Sequence, residues 1–210
     1  ALIKRWITRE TIYKELENWA KIEKYNFKKN SNGVTFKQVI SLSYQTRSLD
    51  WEDLWRNYRF IKPNKFKRNY EEVVQKTTNE KWKSIWYLFD VASFDMNKDI
   101  YLVEWDVDYM TARQEWLNVL WLIWVTNVRK CLLKLQEKWF QSKIILLLDN
   151  DKTWLERQDR ILATAYYQDL NINFWSLIHA LPNQEEDWKK FKDLNDLLIL
   201  NDGKIPDEFY

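Results

Sequence analysis

From Ile100 onward the apolar positions switch repeatedly between two periods. Asp99-Ile-Tyr-Leu-Val-Glu104 is a short apolar run closed by an acid, the pattern of a buried strand. Asp106 to Trp116 then carries Val107, Met110, Thr111 and Trp116 near helical spacing. Val119 to Trp124 is a second apolar run, and Val125 to Phe140 sets Val128, Cys131, Leu132, Leu135 and Trp139 on one helical face. Lys143-Ile-Ile-Leu-Leu-Leu-Asp149 is apolar throughout, as a strand covered on both faces requires. Lys152 to Leu170 reads as a long helix, Ile172 to Leu181 as a fourth strand and Asp193 to Leu200 as a short last helix. Repeated β-α-β units predict a parallel sheet with right-handed crossovers and helices on its faces.

Residues 1 to about 95 read differently. Thr8 to Tyr25 suggests an amphipathic helix through Ile12, Leu16, Trp19 and Ile22, and Asn32-Gly33 is a turn signal opening a β-rich stretch from Val34 to Tyr44. Asp50 to Arg56 reads as a short helix, followed by a basic loop or hairpin and a helix from about Tyr70 to Leu88. The expected organisation is an α+β subdomain over 1–95 and an α/β domain over 96–210, with no low-complexity linker and no internal repeat.

Composition narrows the class. Hydrophobic residues are 46% and charged residues 30% of the 210, enough apolar side chain for a core and too much for disorder. No apolar run reaches the roughly 18 to 20 residues that span a bilayer, and Ala1 to Arg5 lack a signal-peptide core, so the expectation is an intracellular, cytoplasmic protein with no membrane partner. One cysteine and one histidine cannot form an internal disulfide or a four-ligand zinc site. A net charge of +2 argues against bulk electrostatic binding of nucleic acid, so any such binding needs a local patch. Two counts stand out: Gly is 2 and Trp 14, where glycine alone is ordinarily about 7%.

The candidate chemistry lies in the acids. Ligands of open parallel sheets gather at the carboxyl ends of strands, where Glu104, Asp149 and Asp151 are expected, with Asp193 at the start of the last helix. A single acid at such a place is more often a solvated turn or a cap; four together form a hard oxygen site suited to Mg²⁺ or Mn²⁺. Two such ions can activate an attacking hydroxyl and steady a leaving phosphate.

Three segments carry a resemblance. Val103-Glu104-Trp105-Asp106-Val107-Asp108, Ile144 to Asp149-Asn-Asp151-Lys152, and Lys192-Asp193-Leu-Asn195-Asp196 resemble, in order and spacing, the successive motifs of a TOPRIM domain. That domain is shared by primases, topoisomerases, OLD-type nucleases and recombination mediators. The wording at 104–111 and 192–196 is most similar to primases and phage primase-helicases, and the likeness covers about residues 97–202. It implies that Glu104 is a metal ligand or general base, that Asp149 and Asp151 bind catalytic magnesium, that Asp193 completes the cluster and that Asp108 supports the turn behind Glu104. Lys152 and Lys192 become candidates for phosphate contacts. The family's glycines are replaced: Trp105 follows Glu104 directly, Trp154 stands in the Asp-Lys-x-Gly motif, and Trp121 and Trp124 lie where glycine is common. Glycine serves where backbone takes a positive φ or approaches a ligand closely.

In the N-terminal half Arg56, Arg59, Lys62, Lys65, Lys67 and Arg68 fall within 13 residues that contain no acid, interleaved with Tyr58, Phe60 and Phe66. Cations for phosphate and aromatic faces for bases suit a single-stranded template; a solvated basic loop is the equal alternative from residues alone. His179 reads as surface or capping, and Cys131 as core. With glycine only at 33 and 203, no GxxxxGK phosphate loop exists in the chain.

The leading expectation is a primase-type RNA polymerase core of a phage or mobile element. It makes short primers on single-stranded DNA from nucleotides by two-metal transfer, with a helicase or other replisome proteins as partners. A magnesium-dependent nuclease using the same acids, and a degenerate module that only binds nucleic acid or a replisome protein, stay open.

Overall fold

The computed structural model describes residues 7–18, 20–27, 37–47, 49–50, 52–68, 71–79, 94–122, 127–149, 172–174, 193–200 and 202–204. In chain order it contains α1 (Arg9–Asn18), β1 (Ala20–Phe27), β2 (Lys37–Arg47), β3 (Asp53–Arg68), β4 (Glu71–Asn79), β5 (Ile100–Val103), α2 (Asp106–Gln114), β6 (Val119–Trp121), α3 (Val128–Glu137), β7 (Ile144–Leu147), β8 (Ile172–Phe174) and α4 (Leu194–Leu200).

The C-terminal half follows its sequence pattern. Strands β5, β6, β7 and β8 form a parallel sheet in the order β6-β5-β7-β8. Parity along the strands divides the core in two. Ile100, Leu102, Leu120, Leu122, Ile144, Leu146 and Leu148 share one core with Val128, Cys131, Leu132 and Leu135 of α3. Val103, Val119, Trp121, Ile145 and Leu147 point the other way, into a core with Tyr109, Met110 and Ala112 of α2 and Leu194, Leu197 and Leu198 of α4. Both faces are thus covered, and this is why the strand sequences show no polar alternation. The helix expected over Lys152 to Leu170 lies outside the described residues.

The N-terminal half is α+β, yet three of its elements differ from the sequence reading. The first helix ends at Asn18, and Ala20–Phe27, expected to continue it, is β1, paired antiparallel with β2 from Ala20↔Tyr44 to Phe27↔Lys37. Asp53–Arg68 is one long strand where a short helix and then a basic loop or hairpin were expected, and Glu71–Asn79, within the expected helix over Tyr70 to Leu88, is the strand that pairs with it as a hairpin. Together β1-β2-β3-β4 form an antiparallel meander. These segments are charged and only weakly periodic, so pairing with neighbours overrides local propensity. The β3–β4 register shifts between Arg59 and Asn64, around Pro63, which has no N–H to give a ladder. The Asn32-Gly33 turn lies outside the described residues.

The two halves share one core. Ile7, Ala20, Leu42 and Tyr44 join the α2 and α4 side of the parallel sheet, and Tyr44 meets the Trp121 ring edge to face at 5.6 Å between centroids. Among the described residues no helix is long and apolar enough to cross a membrane.

Candidate active site

The site grows from the carboxyl end of the parallel sheet. Strand β5 stops at Val103; Glu104 and Trp105 follow, and α2 begins at Asp106. Its first turn carries Asp106 and Asp108, both buried, and the exposed N–H groups of a helix N-terminus favour acids there.

Asp106 accepts both ends of the Arg59 guanidinium from β3. Burial opposes the Arg59 charge, but the carboxylate of Asp106 and its hydrogen bonds outweigh it and raise the guanidinium above its ordinary value. The pair fastens the antiparallel sheet to the first turn of α2. Beside it, Tyr44 donates to Met110 Sδ at 4.0 Å; burial first, and Asp106 second, push its hydroxyl well above the usual tyrosine range.

Asp108 faces α4. Its Oδ1 accepts the Asn195 backbone N–H at 3.0 Å, and Asn195 Nδ2 donates to Thr111 Oγ1 at 3.0 Å. Asp193 caps the same helix by accepting the Asp196 N–H at 2.8 Å. These bonds dock α4 on α2 and bring Asp193 beside Asp108. Asp149 arrives from the loop after β7 with the parity of Leu147, whose side chain lies on the α2 side.

Carboxylate oxygens of Asp108, Asp149 and Asp193 lie within 4.8 Å of one another. Among the described residues this is the one group of three or more acid, histidine or cysteine side chains so placed. The three carboxylates offer the all-oxygen donor set that Mg²⁺ takes. Burial first, then the charge of Asp193, push the Asp108 carboxyl well above the usual carboxylate range, against the pull of the Asn195 N–H. A divalent cation relieves that repulsion.

Asp149 and Asp193 of the expected site therefore meet, and Asp108, expected to support a turn, stands with them. The sequence signal for Asp108 was present: it follows Glu104 by one helical turn in Glu-x-x-x-Asp. Glu104 is buried but is not one of the three; it follows Val103 and so falls on the opposite strand parity from Asp149. Asp151, Lys152 and Lys192 lie outside the described residues.

Of the basic segment, Arg59 is engaged with Asp106, and Arg56 reaches Ser43 Oγ at 3.1 Å and Glu23 at 3.5 Å. Lys62, Lys65, Lys67 and Arg68 belong to the backbone of β3, and their side chains lie outside the described residues.

Two tryptophans frame the acids. Trp121 donates from Nε1 to the Glu104 carbonyl at 2.9 Å and packs against Tyr44 and Tyr109. Trp105 donates from Nε1 to Asp149 Oδ2 at 3.0 Å. Its backbone is extended, φ −109° and ψ 154°, a conformation open to any residue.

No protein-family model matches the chain, and no curated protein matches it by sequence. Solved structures do match. A chain in the structure of bacteriophage T7 lagging-strand DNA polymerase interacting with primase domains of two gp4 subunits, bound to an RNA/DNA hybrid and dTTP, is similar with TM-score 0.59. The identity is 16%, covering 97% of this chain and 86% of that one. The Escherichia coli primase catalytic core is similar with TM-score 0.57 and 14% identity over 99% of this chain and 70% of that one. The primase fragment of the bacteriophage T7 primase-helicase protein gives TM-score 0.51 and 17% identity over 97% and 70%. With its four-stranded parallel sheet, the chain has the TOPRIM-like α/β fold of these primase catalytic cores.

Proposed function

We propose that the chain is the catalytic core of a primase, joining ribonucleotides into short primers on single-stranded DNA. The observation that carries the reading is the convergence of Asp108, Asp149 and Asp193 at the strand ends of a fold shared with primase cores. These three would hold a divalent metal, with Asp151 as a further ligand. When bound, Mg²⁺ or Mn²⁺ would neutralise phosphate charge and lower the pKa of the 3′-hydroxyl, which attacks the nucleotide α-phosphate as the bond to the leaving pyrophosphate breaks. Glu104 is assigned the proton from that hydroxyl, Lys152 and Lys192 the triphosphate, and Lys62, Lys65, Lys67 and Arg68 the template backbone. Arg59 and Asp106 hold the template-side sheet on the catalytic domain. Helicase and replisome proteins are the proposed partners, and the cytoplasm the proposed location.

The test is Mg²⁺-dependent, template-dependent synthesis of oligoribonucleotides, lost by at least about a hundredfold in Asp149→Ala. Degradation of the template instead identifies a nuclease, and silence in both assays a binding module.

A further inference from the structure

Trp105 occupies the position directly after Glu104 and lays the N–H edge of its indole on Asp149, at 3.0 Å from Oδ2. That oxygen belongs to the carboxylate that contributes to the cluster with Asp108 and Asp193. That bond takes one of the acceptor sites of the Asp149 carboxylate, so the indole and a cation draw on the same group. The backbone at 105 does not require tryptophan: its φ and ψ suit any residue.

An independent observation bears on the same point. Trp116 and Trp139 have φ of 61° and 58°, the left-handed region that only glycine enters without cost. Each sits just past a helix end. Trp116 N–H bonds Arg113 O at 3.1 Å and Leu117 N–H bonds Ala112 O at 3.0 Å; Trp139 N–H bonds Gln136 O at 2.9 Å and Phe140 N–H bonds Leu135 O at 3.0 Å. Those paired bonds define the Schellman ending, whose left-handed position is ordinarily glycine. Trp116 and Trp139 are 79% and 83% exposed, so burial in a core does not account for either side chain. In a chain of 14 Trp and 2 Gly, tryptophan stands repeatedly in glycine's place.

We propose that Trp105 plugs the carboxylate cluster through its indole hydrogen bond to Asp149, and that glycine in its place opens the cluster to a divalent cation and the nucleotide it accompanies. The proposal rests on the metal-site reading above. At 116 and 139 a single cause suffices: a UGA codon is decoded as tryptophan under some genetic codes and as glycine under others, and one such difference places tryptophan at both left-handed positions.

Mn²⁺ titration, followed by calorimetry and by electron spin resonance of the free ion, tests the plug in the chain, in Trp105→Gly and in Trp105→Phe. The expected result is affinity about tenfold higher or more in Trp105→Gly, with a smaller gain in Trp105→Phe, which loses the N–H but keeps a ring. Equal affinity in all three overturns the plug and leaves the acid site standing; no Mn²⁺ uptake by any of them overturns the site and the plug with it. Peptide masses of the protein isolated from its native host test the common cause. Trypsin releases 114–129 and 139–143, which carry these positions; masses with glycine at 116 and 139 support the decoding account, and tryptophan masses overturn it.

Discussion

At Trp116 and Trp139 a bulky side chain is held at positive φ, which costs a residue with a Cβ about 1–2 kcal/mol relative to glycine. Trp116→Gly and Trp139→Gly are each expected to stabilise the protein by about 1 kcal/mol in urea unfolding, while the alanine variants, which still carry Cβ, gain little. Trp116 has a partial offset, since Lys14 Nζ lies 4.3 Å from its ring centroid, a cation–π contact worth about 0.5–1 kcal/mol at an exposed site. The gain at 139 is therefore expected to be the larger. The Arg59–Asp106 pair behaves in the opposite sense. Asp106 is 2% and Arg59 21% exposed at the side chain, so Arg59→Ala strands a buried carboxylate and is expected to cost about 3–5 kcal/mol. Replacing both, Arg59→Met with Asp106→Leu, is expected to recover most of that loss, as a double-mutant cycle in urea will show.

Elements were legible where burial was two-sided. The runs at 100–103, 119–121 and 144–147 are apolar on both parities because two helical layers cover them, and composition alone announces that. In the antiparallel half, β1 and β4 are charged, and what makes them strands is the neighbour each pairs with, which a one-dimensional pattern does not contain. Helix α3 shows a second kind of tie between the halves. Lys134 and Lys138, near its C-terminus, bind Asp50 at 3.1 and 2.6 Å, where cations also suit the helix dipole. Hydrogen bonds from Lys138 and then Lys134 lower the Asp50 pKa. For an acid held below its unfolded value the contribution is present above that value, near pH 4, and is lost as the pH falls through the folded one. Asp50→Asn is thus expected to lower the thermal midpoint slightly at pH 7, and the difference to vanish by about pH 2 or in high salt, because the pair is solvent-screened.

For the whole molecule the question is how two sheets make one machine. The core runs unbroken from Ile7, Leu42 and Tyr44 to Trp121, Met110 and Leu197, and Arg59 of β3 is held on Asp106 of α2. If β3 guides a template, Lys65→Ala with Lys67→Ala weakens single-stranded DNA binding and reduces the slope of log affinity against log salt by about 1.4, at about 0.7 per phosphate contact. An unchanged slope removes that role. The sequence by itself determined the α/β order of the second half, the hard-oxygen character of its acids and the places of Asp149 and Asp193 after a strand and at a helix start, because strand ends and hydrophobic period are local properties. Only the tertiary structure decided that Asp108 joins them, that Arg59 serves Asp106, that residues 20–27 are strand and that an indole lies on Asp149. Each of these depends on which side chains meet across tens of residues of chain, and that is set by how helices and sheets pack rather than by the order in which they are written.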